Sequence, residues 1–146
     1  MTGNLRVKPS SPEARRRMQS VRQKSTTAES ALRSELHALG IRYRVQVPVL
    51  TAPRRVADIA MRSLRVAIFV DGCFWHGCPI HATWPRENAA FWREKIVANR
   101  ARDADTNARL HLGGWTVIRV WAHEPPDQAA KRIASIVERL RSRKER

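Results

Sequence analysis

The stretch "LRVAIFV", residues 64–70, is nearly all apolar and only seven residues long. A run that short and that apolar reads as a strand, and as the central one of whatever sheet the chain makes. It is followed at once by "DGCFWHGCPIH", residues 71–81, in which two cysteines, two histidines, a Phe-Trp pair and two glycines share eleven residues. The chemistry of the chain therefore emerges at the end of a rigid element.

Three further segments read as strands. "IRYRVQV" alternates apolar and polar side chains, "RVADIAM" is short and partly apolar, and "WTVIRVW" comes much later. A first helix is expected over Pro12–Gln23, with Ser10 or Ser11 as N-cap and Pro12 in its first turn. A second is expected from Thr26, which stands at capping-box spacing from Glu29; Leu32, Leu36 and Leu39 give it one apolar face before Gly40 stops it. A long helix over 88–112 should end at Gly113-Gly114, and a closing helix should start near Pro126. The order is helix, helix, three strands, helix, strand, helix. That order points to the α/β class, with a mixed sheet flanked by helices rather than a regular parallel βαβ sheet.

At 146 residues the chain fits one domain, expected over 12–146 behind an N-terminal tail of residues 1–11. Two cysteines in a chain that is 42% hydrophobic do not make a disulfide scaffold. The N-terminus lacks the apolar core of a signal peptide, and no apolar run nears the roughly 18 residues of a membrane span, so a cytoplasmic location is expected.

Lys and Arg number 28 against 13 Asp and Glu, a formal net charge of +15. A polyanionic partner follows, and nucleic acid fits better than a membrane because the basic residues are spread through "EARRRMQSVRQK", "PRR", "NRARD" and "RLRSRKER". The alternative is a solvated basic surface.

Asp58 is the only carboxylate between Glu35 and Asp71, and it sits in an otherwise apolar strand segment. A charge there needs a partner, such as a divalent cation, unless it stands at a strand end in solvent. His76 carries an imidazole, a group suited to taking a proton from water near neutral pH; zinc ligation and a phosphate contact are the competing readings. Cys73 and Cys78 at C-x4-C spacing, with His81 three positions on, form a moderate zinc signal that lacks a fourth ligand.

Taken together, "ADIAMRSLRVAIFVD", "GCFWHGCPIH", "FWREKIVANRARD" and "GWTVIRVWAHE" resemble the very short patch repair (Vsr) endonucleases over roughly residues 14 to 124. The resemblance implies a restriction-endonuclease-like fold. It also implies Mg²⁺-dependent nicking of double-stranded DNA beside a T:G mismatch left by deamination of 5-methylcytosine. The enzyme would then work downstream of a cytosine methyltransferase and with repair proteins, and a monomer suffices for one nick.

Residue by residue, the resemblance assigns Mg²⁺ to Asp58 and to the backbone carbonyl of Val70, and proton transfer to His76. The ExK pair of many nucleases is absent from "IFVDG". Glu29 resembles a helix glutamate near the metal waters, although its capping-box spacing offers a purely structural explanation. Asp103 could orient His76, and Lys95, Asn99 and Asp103 share one helical face at i, i+4 and i+8. Asp71, next to Val70, is a candidate for approaching the metal through water.

The family's structural zinc has a fourth ligand just after the strand ending "VW", where many members carry cysteine. Here His123 stands there, giving Cys73, Cys78, His81 and His123. Phe74, Trp75 and Trp92 resemble the aromatics that enter the base stack, whereas Trp115 and Trp121 read as core. Arg22, on the basic N-terminal helix, and Lys24, just past its end, are expected along the DNA backbone.

Overall fold

The computed structural model describes residues 12–73 and 88–145, apart from the side chains of 13–15 and 17–25. Along the chain lie α1 (Pro12–Ala38), β1 (Arg44–Thr51), β2 (Arg54–Met61), a 3₁₀ turn (Arg62–Leu64), β3 (Val66–Asp71), α2 (Ala89–Leu112), β4 (Thr116–Trp121) and α3 (Pro126–Lys144). The strands form one mixed sheet in the order β1-β2-β3-β4. The first three make an antiparallel meander, and β4 runs parallel to β3 after the α2 crossover. β3 is thus an interior strand, as its apolar run requires.

Alternation along β3 explains why both of its faces are apolar. Val66 and Ile68 join Leu32 and Leu36 of α1, Ile59 and Met61 of β2, Ile118 and Val120 of β4, and Ile133 and Val137 of α3 in one core layer. Ala67 and Phe69 point the other way, into a smaller layer with Val47, Ala57, Ala60 and Leu110. Small alanines there admit α2 close to the sheet.

Where two N-terminal helices were expected, one 27-residue helix runs through Thr26. No Gly or Pro interrupts residues 13–39, so nothing ends the first segment. The Thr26 to Glu29 capping box is therefore not a helix start. Gly40 does end α1 at φ +76°, and Gly114 at φ +82° turns α2 into β4. β1 begins three residues later than expected and continues through Pro48, which its edge position tolerates.

Candidate active site and zinc clasp

Pairing of β2 with β3 runs from Met61↔Val66 to Ile59↔Ile68, and one residue further on stands Asp58. There a side chain takes over from the ladder: the Val70 N–H donates to Asp58 Oδ2 at 2.8 Å. The carboxylate of β2 is thus fixed against the backbone of β3 at the residue expected to offer its carbonyl to a cation.

Glu29 approaches the same place from α1. Burial and the neighbouring Asp58 carboxylate push the Glu29 carboxyl above its ordinary value, while Arg33 and a hydrogen bond from the Gln46 side chain pull the other way. Being mid-helix, Glu29 has no capping task, so the structural explanation for its position falls away.

Gln46 was not singled out from the sequence. Its neighbours pair as Val45↔Ile59 and Val47↔Ala57, which sets Gln46 opposite Asp58. Its φ of 51° lies in the left-handed region, rare for a non-glycine residue within a strand. Two carboxylates and an amide side chain thus gather at one end of the sheet. A divalent cation bound by hard oxygens would relieve the repulsion between Asp58 and Glu29, so the donor set fits Mg²⁺.

On the other side, Asp71 is 7% exposed and pairs with Arg119 Nη1 at 3.0 Å. The same nitrogen lies 3.3 Å from Asp103 Oδ1, and Arg119 Nε donates to Asn107 Oδ1 at 3.0 Å. The guanidinium also sits over the Phe69 ring, 4.2 Å from its centroid. Asp71 and Asp103 are accordingly both engaged by one arginine. Arg119 could have been suspected from sequence, since a charge inside "WTVIRVW" needs a partner.

Beyond the ends of the parallel pair, Cys73 Sγ lies 3.2 Å from His123 Nδ1. His123 is held in a turn in which Glu124 Oε1 accepts the Trp121 N–H at 3.0 Å, and its ring stacks on Trp121 at 15°. Two of the four expected zinc ligands, 50 residues apart in sequence, are therefore neighbours. A tetrahedral Zn²⁺ with ordinary bond lengths separates a sulfur and a nitrogen ligand by about 3.6 Å, close to what is found. Cys78 and His81 lie outside the described residues, as do His76, Phe74 and Trp75. The described residues alone contain no group of three or more metal-ligating side chains.

Of the remaining candidates, Trp92 is 8% exposed and packs edge-on against Phe91 at 5.1 Å. To stack on a base it would have to leave that packing. Lys95 is exposed and Asn99 partly buried on α2, whereas the side chains of Arg22 and Lys24 are outside the described set.

The sequence profile described as DNA mismatch endonuclease Vsr matches residues 10–81. A type II nicking enzyme, V.NaeI of Lentzea aerocolonigenes, is 40% identical over 127 residues, 86% of this chain and 75% of its own length. The chain belongs to the Vsr family of DNA endonucleases. Another family relative, the type II nicking enzyme V.XorIIP of Xanthomonas oryzae pv. oryzae, is 45% identical over 123 residues, 82% of this chain and 88% of its own. The DNA mismatch endonuclease Vsr of Escherichia coli is 37% identical over 106 residues, 71% of this chain and 65% of its own. Within this Vsr-family chain, the profile match covers Glu29, Gln46, Asp58 and Val70 but ends before α2, so the Arg119 cluster lies beyond it.

Proposed function

We propose that the chain is a Mg²⁺-dependent endonuclease that nicks one strand of duplex DNA beside a T:G mismatch, opening very short patch repair in the cytoplasm. The observation that carries this reading is the Asp58 carboxylate fixed on the Val70 N–H with Glu29 beside it, in a Vsr-family chain of net charge +15. Asp58 and the Val70 carbonyl would hold the cation, and Glu29 with Gln46 would order the water around it. When bound, Mg²⁺ supplies charge stabilisation at the scissile phosphate and makes a nearby water more acidic.

His76 takes the proton of the attacking water, with Asp103 on α2 orienting it. The water oxygen bonds to phosphorus as the bond to the 3′ oxygen breaks and that oxygen takes up a proton from solvent, leaving 5′-phosphate and 3′-hydroxyl ends. Phe74 and Trp75 stack on the bases of the mismatched step, where unstacking costs least. Trp92, Lys95, Asn99, Arg22 and Lys24 would border the DNA. Zn²⁺ held by Cys73, Cys78, His81 and His123 would be structural, tying the catalytic loop to the end of β4.

A second reading is a restriction or defence endonuclease that recognises a specific or modified sequence without a mismatch, and the similarity to enzymes named type II nicking enzymes favours it. One assay separates the two: matched, T:G-mismatched and methylated duplexes are incubated with Mg²⁺, and binding and nicking are measured separately. Mismatch-selective nicking is expected. Equal nicking of the matched and mismatched duplexes would favour the second reading.

A further inference from the structure

We infer that Arg119 is a positioning residue for strand cleavage: it sets the Asp103 face of α2 against the end of β3 and draws the Asp71 carboxylate toward α2. The inference rests on the nuclease reading above. Its basis is how α2 is held. Only Trp92, Ile96, Thr106 and Leu110 of this 24-residue helix are buried, so between Ile96 and Thr106 the helix has no buried apolar anchor on the sheet. The polar contacts of Arg119 begin there.

Its Nη1 reaches Asp103 at 3.3 Å and Asp71 at 3.0 Å, its Nε reaches Asn107 at 3.0 Å, and its Nη2 lies 3.5 Å from the Asp103 carbonyl. The backbone carbonyl of Arg119 in turn accepts from Arg132 of α3 at 3.2 Å. One planar guanidinium thereby reaches a backbone and a side-chain atom of the same helical turn through separate nitrogens held in a rigid fork, a geometry the flexible ammonium of lysine does not preset.

Asp71 follows the residue whose carbonyl is the expected cation ligand. A free carboxylate at that point would compete for the cation, and Arg119 engages it from the α2 side. The sheet explains the geometry. Phe69 pairs with Arg119 across the parallel ladder, so Arg119 shares the face of Phe69 and Asp71 rather than that of Ile68 and Val70. In this arrangement Arg119 acts through Asp103 and Asp71, the groups its guanidinium holds.

The test is single-turnover nicking of a T:G duplex at saturating protein, with DNA affinity and melting temperature measured on the same samples. Asp58→Asn runs alongside as the report on the nuclease reading itself: if it nicks like wild type, that reading fails, whatever Arg119 does. With that control inactive, Arg119→Met is expected to slow the saturated rate about 10²-fold, the cost of misplacing a catalytic group by about an ångström, while DNA affinity stays within about threefold. In an Asp103→Asn background the same substitution should cost only about two- to threefold, because the group it positions is already disabled. Should Arg119→Met strand a buried carboxylate and fail to fold, Asp71→Asn/Arg119→Gln removes that charge and carries the same comparison. An unchanged saturated rate in folded protein would overturn the inference, as would losses that multiply fully with Asp103→Asn.

Discussion

Replacing Asp58 by asparagine and by alanine separates its two tasks. The carboxylate accepts the Val70 N–H at 2.8 Å and is the expected ligand of the cation. Asparagine keeps an acceptor of similar shape but loses the charge, whereas alanine loses both. Leaving the Val70 amide without its acceptor in a partly buried position costs about 1–3 kcal/mol. At about 4 °C per kcal/mol for a domain of this size, Asp58→Ala should melt about 4–12 °C below wild type. Asp58→Asn should stay within about 3 °C of wild type, because the hydrogen bond survives and the repulsion with Glu29 is relieved. Nicking should fall in both: a cation contribution of about 4 kcal/mol to the transition state corresponds to about 10³-fold in rate. The measurements are thermal melts in EDTA and nicking of a fluorescent T:G duplex in Mg²⁺. An asparagine variant that nicks within about tenfold of wild type would refute the ligand assignment. An alanine variant with an unchanged melting temperature would refute the structural half.

Glu29→Gln provides a pH test. Because the folded-state pKa of Glu29 is raised, its protonated form favours folding, and that advantage is fully present below the unfolded value of 4.5 and lost as pH rises through the folded value. In EDTA the glutamine variant should therefore melt above wild type at pH 7, with the gap closing toward pH 4; a gap that widens on acidification would contradict the assigned shift. His123→Ala should lower bound zinc, measured by elemental analysis of purified protein, and a full complement would remove His123 from the ligand set. Ile68→Ala, in the larger core layer, should cost about 3 kcal/mol in urea unfolding without touching the site. A change under about 1 kcal/mol would mean that the layer repacks around the deletion.

The scaffold was readable where one pattern answered to one force. The apolar run of β3 announced an interior strand because both of its faces are covered, and Gly40 and Gly114 marked turns that need positive φ. The capping-box spacing at Thr26 misled because a local signal cannot end a helix when the preceding residues also propagate one. At the site, Asp58 stood out as an isolated carboxylate in an apolar strand. Gln46 did not, since its place depends on a left-handed backbone and on cross-strand register that no composition encodes. Arg119 is visible in the sequence only as a charge inside an apolar strand that needs a partner; the partners themselves, Asp71 and Asp103, lie 48 and 16 residues away, beyond the reach of any local pattern.

The parallel pairing of β3 with β4 also bears on how the chain assembles. The β1-β2-β3 meander closes through short connections, whereas β4 can join only after the whole α2 excursion has been looped back. Loop closure over that span costs entropy before the pairing offsets it, so the meander is expected to form early and β4 to dock late. Core substitutions in β1 and β2 should then slow folding, while those in β4 mainly hasten unfolding. His123 and Arg119 both ride on the late arrival, as a strand and the turn that ends it. The contacts that Arg119 and His123 make with Asp71, Asp103 and Cys73 are then expected among the last to form in folding and the first to be lost in unfolding.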